Sequence, residues 1–166
     1  MPIFYHADRE LLLQEGMRLE LSPQGLSKFG EVYWDVIHQV PPEQMHRNSA
    51  ELREFCAEVA RQESVFTGRF SRHCSFFGVQ SIEESKAYAR TILPPPDHPI
   101  PIFEVQSEQY QIFDSTWLDF DCPLDRRLGY SHSYWSGLPS NSPFRPPRWE
   151  VVMCLPVTIG PQLGFA

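Results

Sequence analysis

Apolar residues recur along the chain at two periods, and the changes between them mark its elements. Ile3 to Ala7 (IFYHA) reads as a short strand. Asp8 follows as an N-cap, and Leu11, Leu12 and Leu13 predict a short helix that stops at Gly16. The chain then returns through Met17 to Leu21. Residues 22 to 48 carry Phe29, Tyr33 and Trp34 with no clear period. Asn48 with Glu51 forms a capping pattern. Behind it, Leu52, Phe55, Cys56, Val59 and Ala60 stand at helical spacing and predict a helix ending near Gln62.

The second half switches towards strands. Cys74 to Val79 reads as a strand that runs into a capping box, Ser81 with Glu84. Ile82, Ser85, Tyr88 and Ala89 then make one face of a helix that ends before Pro94. Ile100 to Val105 and Gln111 to Phe113 read as strands joined by a turn at Gln106 to Gln109. Asp114 to Leu138 mixes helix and loop, and Pro139 to Pro147 is a Pro/Ser loop. Glu150 to Ile159 (EVVMCLPVTI) is the most strand-like run, interrupted by Pro156, which implies an edge position or a bulge. Without regular strand–helix alternation, the class is α+β.

Composition narrows the picture. The 166 residues suit one domain, 1–166, with one core. Sixteen prolines lie largely outside the periodic segments and imply long loops. A formal charge of -7 disfavours a general coat for polyanions while permitting a local basic groove. Four cysteines, at 56, 74, 122 and 154, show no paired spacing, so free thiols and no metal site are expected. No signal peptide opens the chain and no apolar run has membrane-spanning length, which implies a soluble, cytoplasmic protein or one delivered into the cytosol of a target cell.

Three features carry candidate chemistry. His6 lies inside the first strand, Ser75-Phe76-Phe77-Gly78 feeds directly into a capped helix, and Glu150 opens the most apolar strand. Singly, each has a plain structural explanation: a satisfied histidine, two core phenylalanines on opposite faces, a solvated strand-end carboxylate. The chain has no Gly-rich dinucleotide fingerprint and no phosphate loop. A Ser/His/Asp hydrolase drawn from Ser75, His6 and an aspartate lacks a nucleophile elbow.

In their order along the chain, these features resemble the ADP-ribosyltransferase superfamily, in its His-Tyr-Glu branch of poly-ADP-ribose polymerases, diphtheria-type toxins and small bacterial toxins. That branch opens with a His-bearing strand, matched by Tyr5-His6-Ala7-Asp8-Arg9 and then Gly16. Its middle motif is a strand ending in Tyr-Phe-Ala before a Ser-rich capped helix with a late Tyr, matched by Ser75-Phe76-Phe77-Gly78, Ser81, Ser85 and Tyr88. Its last is a Glu beginning a late apolar strand, matched by Trp149-Glu150-Val151-Val152. Arg72 and the run Tyr134-Trp135-Ser136-Gly137 also look like those of a small bacterial branch. The chain departs from the pattern at Phe76, which stands where the family has the Tyr that stacks on nicotinamide.

The resemblance implies an ADP-ribosyltransferase-like split β-sandwich with short flanking helices, and NAD as substrate without a metal. It implies Glu150 as the catalytic carboxylate. His6 would meet the adenosine ribose, Ser75 the nicotinamide ribose or amide, and Phe76 or Phe77 would wall the nicotinamide. Arg72 would contact the pyrophosphate, and Tyr134 would line the acceptor side or cover the cofactor. Asp119, Asp121 and Asp125 are alternative carboxylates in loop-like text. The expected activity is mono-ADP-ribosylation by a bacterial toxin or effector, with release of nicotinamide. The acidic total favours a protein acceptor over nucleic acid, and an immunity or antitoxin protein would be a further partner; no membrane is expected. Two other readings stand beside it: an inactive binding module of the same fold, and an NAD glycohydrolase with water as acceptor.

Overall fold

Seven strands pair into two antiparallel sheets, and four α-helices flank them. The computed structural model describes every residue from Met1 to Ala166. In one sheet β1 (Ile3–Ala7) and β7 (Val157–Phe165) flank β4 (Pro101–Gln106), and the two-residue β2 (Arg18–Leu19) lies outside β7. In the other, β6 (Trp149–Cys154) runs between β3 (Ser75–Gly78) and β5 (Tyr110–Asp114). The α+β class expected from the sequence is what forms.

Alternation along β6 decides what each face meets. Val151 and Met153 point towards the first sheet and pack with Phe4, Phe103, Val105, Val157 and Ile159. Val152 points the other way, into a second cluster with Phe113, Ala57, Ala60, Tyr134 and Trp135. That cluster joins the sheet to α2 (Ala50–Arg61) and α4 (Leu124–Trp135), where Trp135 Nε1 donates to the Ala57 carbonyl at 2.6 Å. Burying each large apolar side chain contributes about 1.5–3 kcal/mol, so the two clusters are the main force holding sheets and helices together.

The sheets touch at one further point. Val79, just past β3, bridges Tyr5 of β1 through hydrogen bonds of 3.0 and 2.9 Å. Gly78 permits that approach, since a Cβ there would sit 3.0 Å from the Tyr5 carbonyl oxygen and from Met153 Cε. Gly78 is also the last β3 residue paired with β6, opposite Val151. Glu150 therefore lies one step beyond the ladder, where β3 has left β6 to join β1. α3 (Ile82–Ala89) starts there, with the complete Ser81–Glu84 capping box predicted, and buries Ala89 against Ala7 and Ile100.

Several predictions give way to other solutions. No helix forms at Leu11 to Leu13: Asp8 Oδ2 accepts the Leu13 amide at 2.8 Å, and Leu11 has φ 54°, so the aspartate caps an irregular loop. The stretch without a period contains α1 (Lys28–Gln39), capped by Ser27. Its apolar face was there to be read, since Phe29, Tyr33, Trp34 and Ile37 stand at i, i+4, i+5 and i+8, although only Gly30 and Ile37 of the helix are buried. For α2 the cap is Ser49 rather than Asn48, with its Oγ accepting the Leu52 amide at 3.2 Å. The turn after β4 closes no hairpin, because β4 and β5 belong to different sheets. Pro156 marks neither an edge nor a bulge. It follows a cis peptide bond at the point where the chain leaves β6, central in one sheet, for β7, interior to the other. No helix is long and apolar enough to cross a membrane.

Candidate functional site

The gap beside Glu150 opens into a cleft of about 240 Å³. β1 supplies Tyr5, His6 and Ala7 to its wall, and β3 with its extension supplies Phe77, Gly78 and Val79. α1 contributes Phe29, α2 contributes Arg53, and α3 contributes Ser85 and Tyr88. Leu118, Asp119, Arg148, Trp149 and Glu150 close the far side. Residues from both ends and the middle of the sequence thus share one hollow, with His6 and Glu150 both on its surface.

Below the cleft, Glu150 is held by a buried charged network. Tyr134 is fully buried, and its hydroxyl donates to Glu150 Oε1 at 2.5 Å. Arg72 Nη1 also donates to that Oε1 and, at 2.7 Å, to the Tyr134 oxygen. The opposite edge of the guanidinium grips Glu54, with Nε to Oε2 at 2.8 Å and Nη2 to Oε1 at 3.3 Å. Aromatic faces surround this cation: Phe77 at 4.6 Å, Tyr134 at 5.4 Å and Phe29 at 5.6 Å. Both protein bonds to Glu150 fall on Oε1, so Oε2 is left unengaged.

The electrostatics fix the charge states. Burial pushes the Glu54 carboxyl up, but Arg72 and Arg53 outweigh it and hold it below its usual range. Burial works against the Arg72 cation, yet Glu150 and Glu54 raise it well above an ordinary arginine. Burial raises the Tyr134 phenol, and Glu150 adds to the effect, so the hydroxyl keeps its proton to donate. A buried cluster of this kind is a poor stabiliser: apolar replacements of such pairs often stabilise by about 1–4 kcal/mol. What the network does secure is the orientation of one carboxylate.

His6 is oriented too. Its Nδ1 lies 2.8 Å from the Phe77 carbonyl oxygen and therefore carries the proton and donates. Burial lowers its pKa, against smaller opposing effects of that hydrogen bond and Asp8, so the ring is neutral and Nε2 is an acceptor.

Of the residues singled out in the sequence, Glu150, His6, Arg72 and Phe77 line the cleft. Phe76 faces the other way, into the core between the sheets, with its ring 4.5 Å from that of His6. Ser75 is buried, and its hydroxyl donates to the Ser71 carbonyl at 2.7 Å. Tyr134 lies under Glu150 and does not reach the cleft surface. All three guanidinium nitrogens of Arg72 have protein partners. Trp135 is core.

Sequence reasoning missed Glu54, Arg53 and Tyr88 as parts of the site. Glu54 gave no signal: at 100° per residue it lies across the helix from the stripe of Leu52, Phe55, Cys56, Val59 and Ala60, yet it is wholly buried. Arg53 is 29% exposed, with Nε bonded to Glu54 and Nη1 3.6 Å from Asp119 Oδ1. Arg148 bonds Asp119 Oδ2 from the other side, and its Nε donates to Ser115 Oγ at 3.0 Å. Asp121, also considered, pairs with Arg47 away from the cleft. All four cysteines are free, and burial pushes the Cys56 thiol up to about 11. Compared with known proteins, the chain matches no family model and no curated protein.

Proposed function

We propose that this chain is an NAD-dependent mono-ADP-ribosyltransferase on an ADP-ribosyltransferase-like split β-sandwich. One observation carries the reading: Glu150 sits on the cleft floor with Oε1 clamped by Tyr134 and Arg72 and Oε2 unengaged. Breaking the bond from ribose C1′ to nicotinamide sends the electron pair out with nicotinamide and builds positive charge on the ribose, as in glycoside cleavage. Glu150 Oε2 would accept the 2′-hydroxyl and stabilise that charge. A carboxylate already aligned by buried partners needs no reorganisation as the charge forms. An acceptor nucleophile then bonds to C1′ and releases its proton.

The walls suit the same ligand. Phe77 and Phe29, edge-on at 4.8 Å, and Tyr88 offer aromatic surface for nicotinamide. This gives the stacking role to Phe77, since Phe76 faces the core. The Nε2 acceptor of His6 matches a ribose hydroxyl. At about 240 Å³ the cleft falls below the ~300–1,000 Å³ of pockets that enclose a whole drug-sized ligand, so it would seat the reacting half of NAD and leave the rest near the mouth. A protein acceptor and a toxin or effector role follow from the resemblance and the acidic charge.

Incubation with NAD labelled in its adenylate half, with candidate macromolecules present, tests the proposal. The expected result is release of nicotinamide with label on a macromolecule. Free ADP-ribose with no labelled macromolecule would replace transfer by hydrolysis. No nicotinamide release across acceptors would leave a binding module.

A further inference from the structure

We infer that Cys74 and Cys154 form a reversible thiol–disulfide pair, a modification site that joins the turn carrying Arg72 to the strand carrying Glu150. Nothing in it depends on what the cleft binds. Ser75 of β3 lies directly opposite Cys154 of β6. Opposed residues of an antiparallel pair have Cα atoms about 5 Å apart, and Cys74 is one step of about 3.3 Å further along, so its Cα lies about 6 Å from that of Cys154. Disulfides span ~4.4–6.8 Å between Cα atoms.

The side-chain directions agree as well. Opposed residues share a face, so Cys154 points with Ser75, and with Val152 towards α2. Cys74 ends a 3₁₀ turn, Arg72–Cys74, and strand alternation does not govern it. Its thiol meets the Ser71 hydroxyl, which itself donates to Glu58 of α2 at 3.0 Å, while the Ser75 hydroxyl donates to the Ser71 carbonyl at 2.7 Å. Cys74 therefore turns to the same side. Burial chiefly raises its pKa, and Cys154 adds to the rise, as a second ionisable sulfur close by does.

Access separates this pair from the other two thiols. Cys56 and Cys122 are buried, whereas Cys74 and Cys154 are partly exposed. Cys154 also lines a second hollow of about 350 Å³, with Arg18, Gln106, Ser107 and Thr158, at the end of β6 away from Glu150. A hollow in the ~300–1,000 Å³ range of ligand pockets admits one arm of a small-molecule disulfide. The Cys154 thiolate attacks one sulfur of that disulfide, forming a mixed disulfide and releasing one thiol. The Cys74 thiolate then attacks Cys154 Sγ and releases the second. The two cysteine protons end on the two released thiols; the protein sulfurs are oxidised and the small disulfide is reduced. The new bond links residues distant in sequence, which restricts the unfolded chain more than the folded one.

Oxidation of the native full chain with glutathione disulfide, followed by thiol titration and peptide mass mapping after denaturation, tests the assignment. The wild type should lose two of its four thiols, with peptides linked through Cys74 and Cys154 and with Cys56 and Cys122 free. Dithiothreitol should restore all four thiols. Cys74→Ser should stop at a mixed disulfide on Cys154. The oxidised wild type should unfold at a higher urea midpoint than the reduced one. Four free thiols after oxidation, a Cys56–Cys122 link, a link between two chains, or glutathione left on both Cys74 and Cys154 would each overturn the pair. Equal urea midpoints with the link formed would overturn its bracing of the turn. None of these readouts uses NAD, so the thiol pair and the transferase proposal stand or fall separately.

Discussion

Tyr134 has no access to solvent, yet its hydroxyl touches the carboxylate on which the proposed chemistry depends. In the proposed reaction its role is positioning: it and Arg72 fix one oxygen of Glu150 and would leave the other to face the sugar. Tyr134→Phe removes two hydrogen bonds to charged groups, the one donated to Glu150 and the one accepted from Arg72, and leaves the ring packing intact. The account predicts that kcat for nicotinamide release falls about tenfold or more while KM for NAD stays within about twofold, measured by steady-state kinetics. A rise in KM alone would make Tyr134 a packing residue. Two histidines give a pH signature. Burial lowers the pKa of His6 and of His73 from 6.5, the latter despite Glu54 and Glu58 nearby. Between those lowered values and 6.5 the unfolded chain holds more protons than the folded one, so stability rises with pH across that window. The urea midpoint should therefore be higher at pH 7.5 than at pH 5.5, and His6→Asn should reduce the difference.

Among the elements, α1 shows how a helix can hide in a sequence. Phe29, Tyr33 and Ile37 stand four residues apart on one face, but Gly30 interrupts that face and Val32 lies off it, and it is through the glycine that the helix rests on the Arg72–Cys74 turn. A Cβ on Gly30 would land 2.0 Å from the His73 carbonyl oxygen, against backbone that cannot yield. Gly30→Ala should cost about 1–3 kcal/mol or more, read as a lower urea midpoint, and should loosen Arg72 with it. α3 was legible because its signal is local: Ser81 and Glu84 satisfy each other's amides regardless of tertiary context. The false helix at Leu11 to Leu13 failed for the complementary reason. Asp8 offers its oxygen to a loop amide as readily as to a helix, and the neighbouring leucines, two of them exposed, do not decide between the two.

At the scale of the whole molecule, what the residues reveal depends on how far apart the partners lie. Alternation placed Phe76 and Phe77 on opposite faces, and it put Glu150 at the head of an apolar strand. It could not show that β3 leaves β6 at Gly78 to meet β1, and that departure opens the cleft. Nor could it show Glu54 and Tyr134 converging on Arg72, since those contacts span 18 and 62 residues of sequence. The central claim is that the fold aligns Glu150 to stabilise a ribose losing its base. The rate of nicotinamide release from NAD by Glu150→Gln, compared with the wild type under single-turnover conditions, tests it most directly. The account predicts a loss on the order of a hundredfold or more with NAD affinity little changed. Equal rates in the two proteins would contradict it.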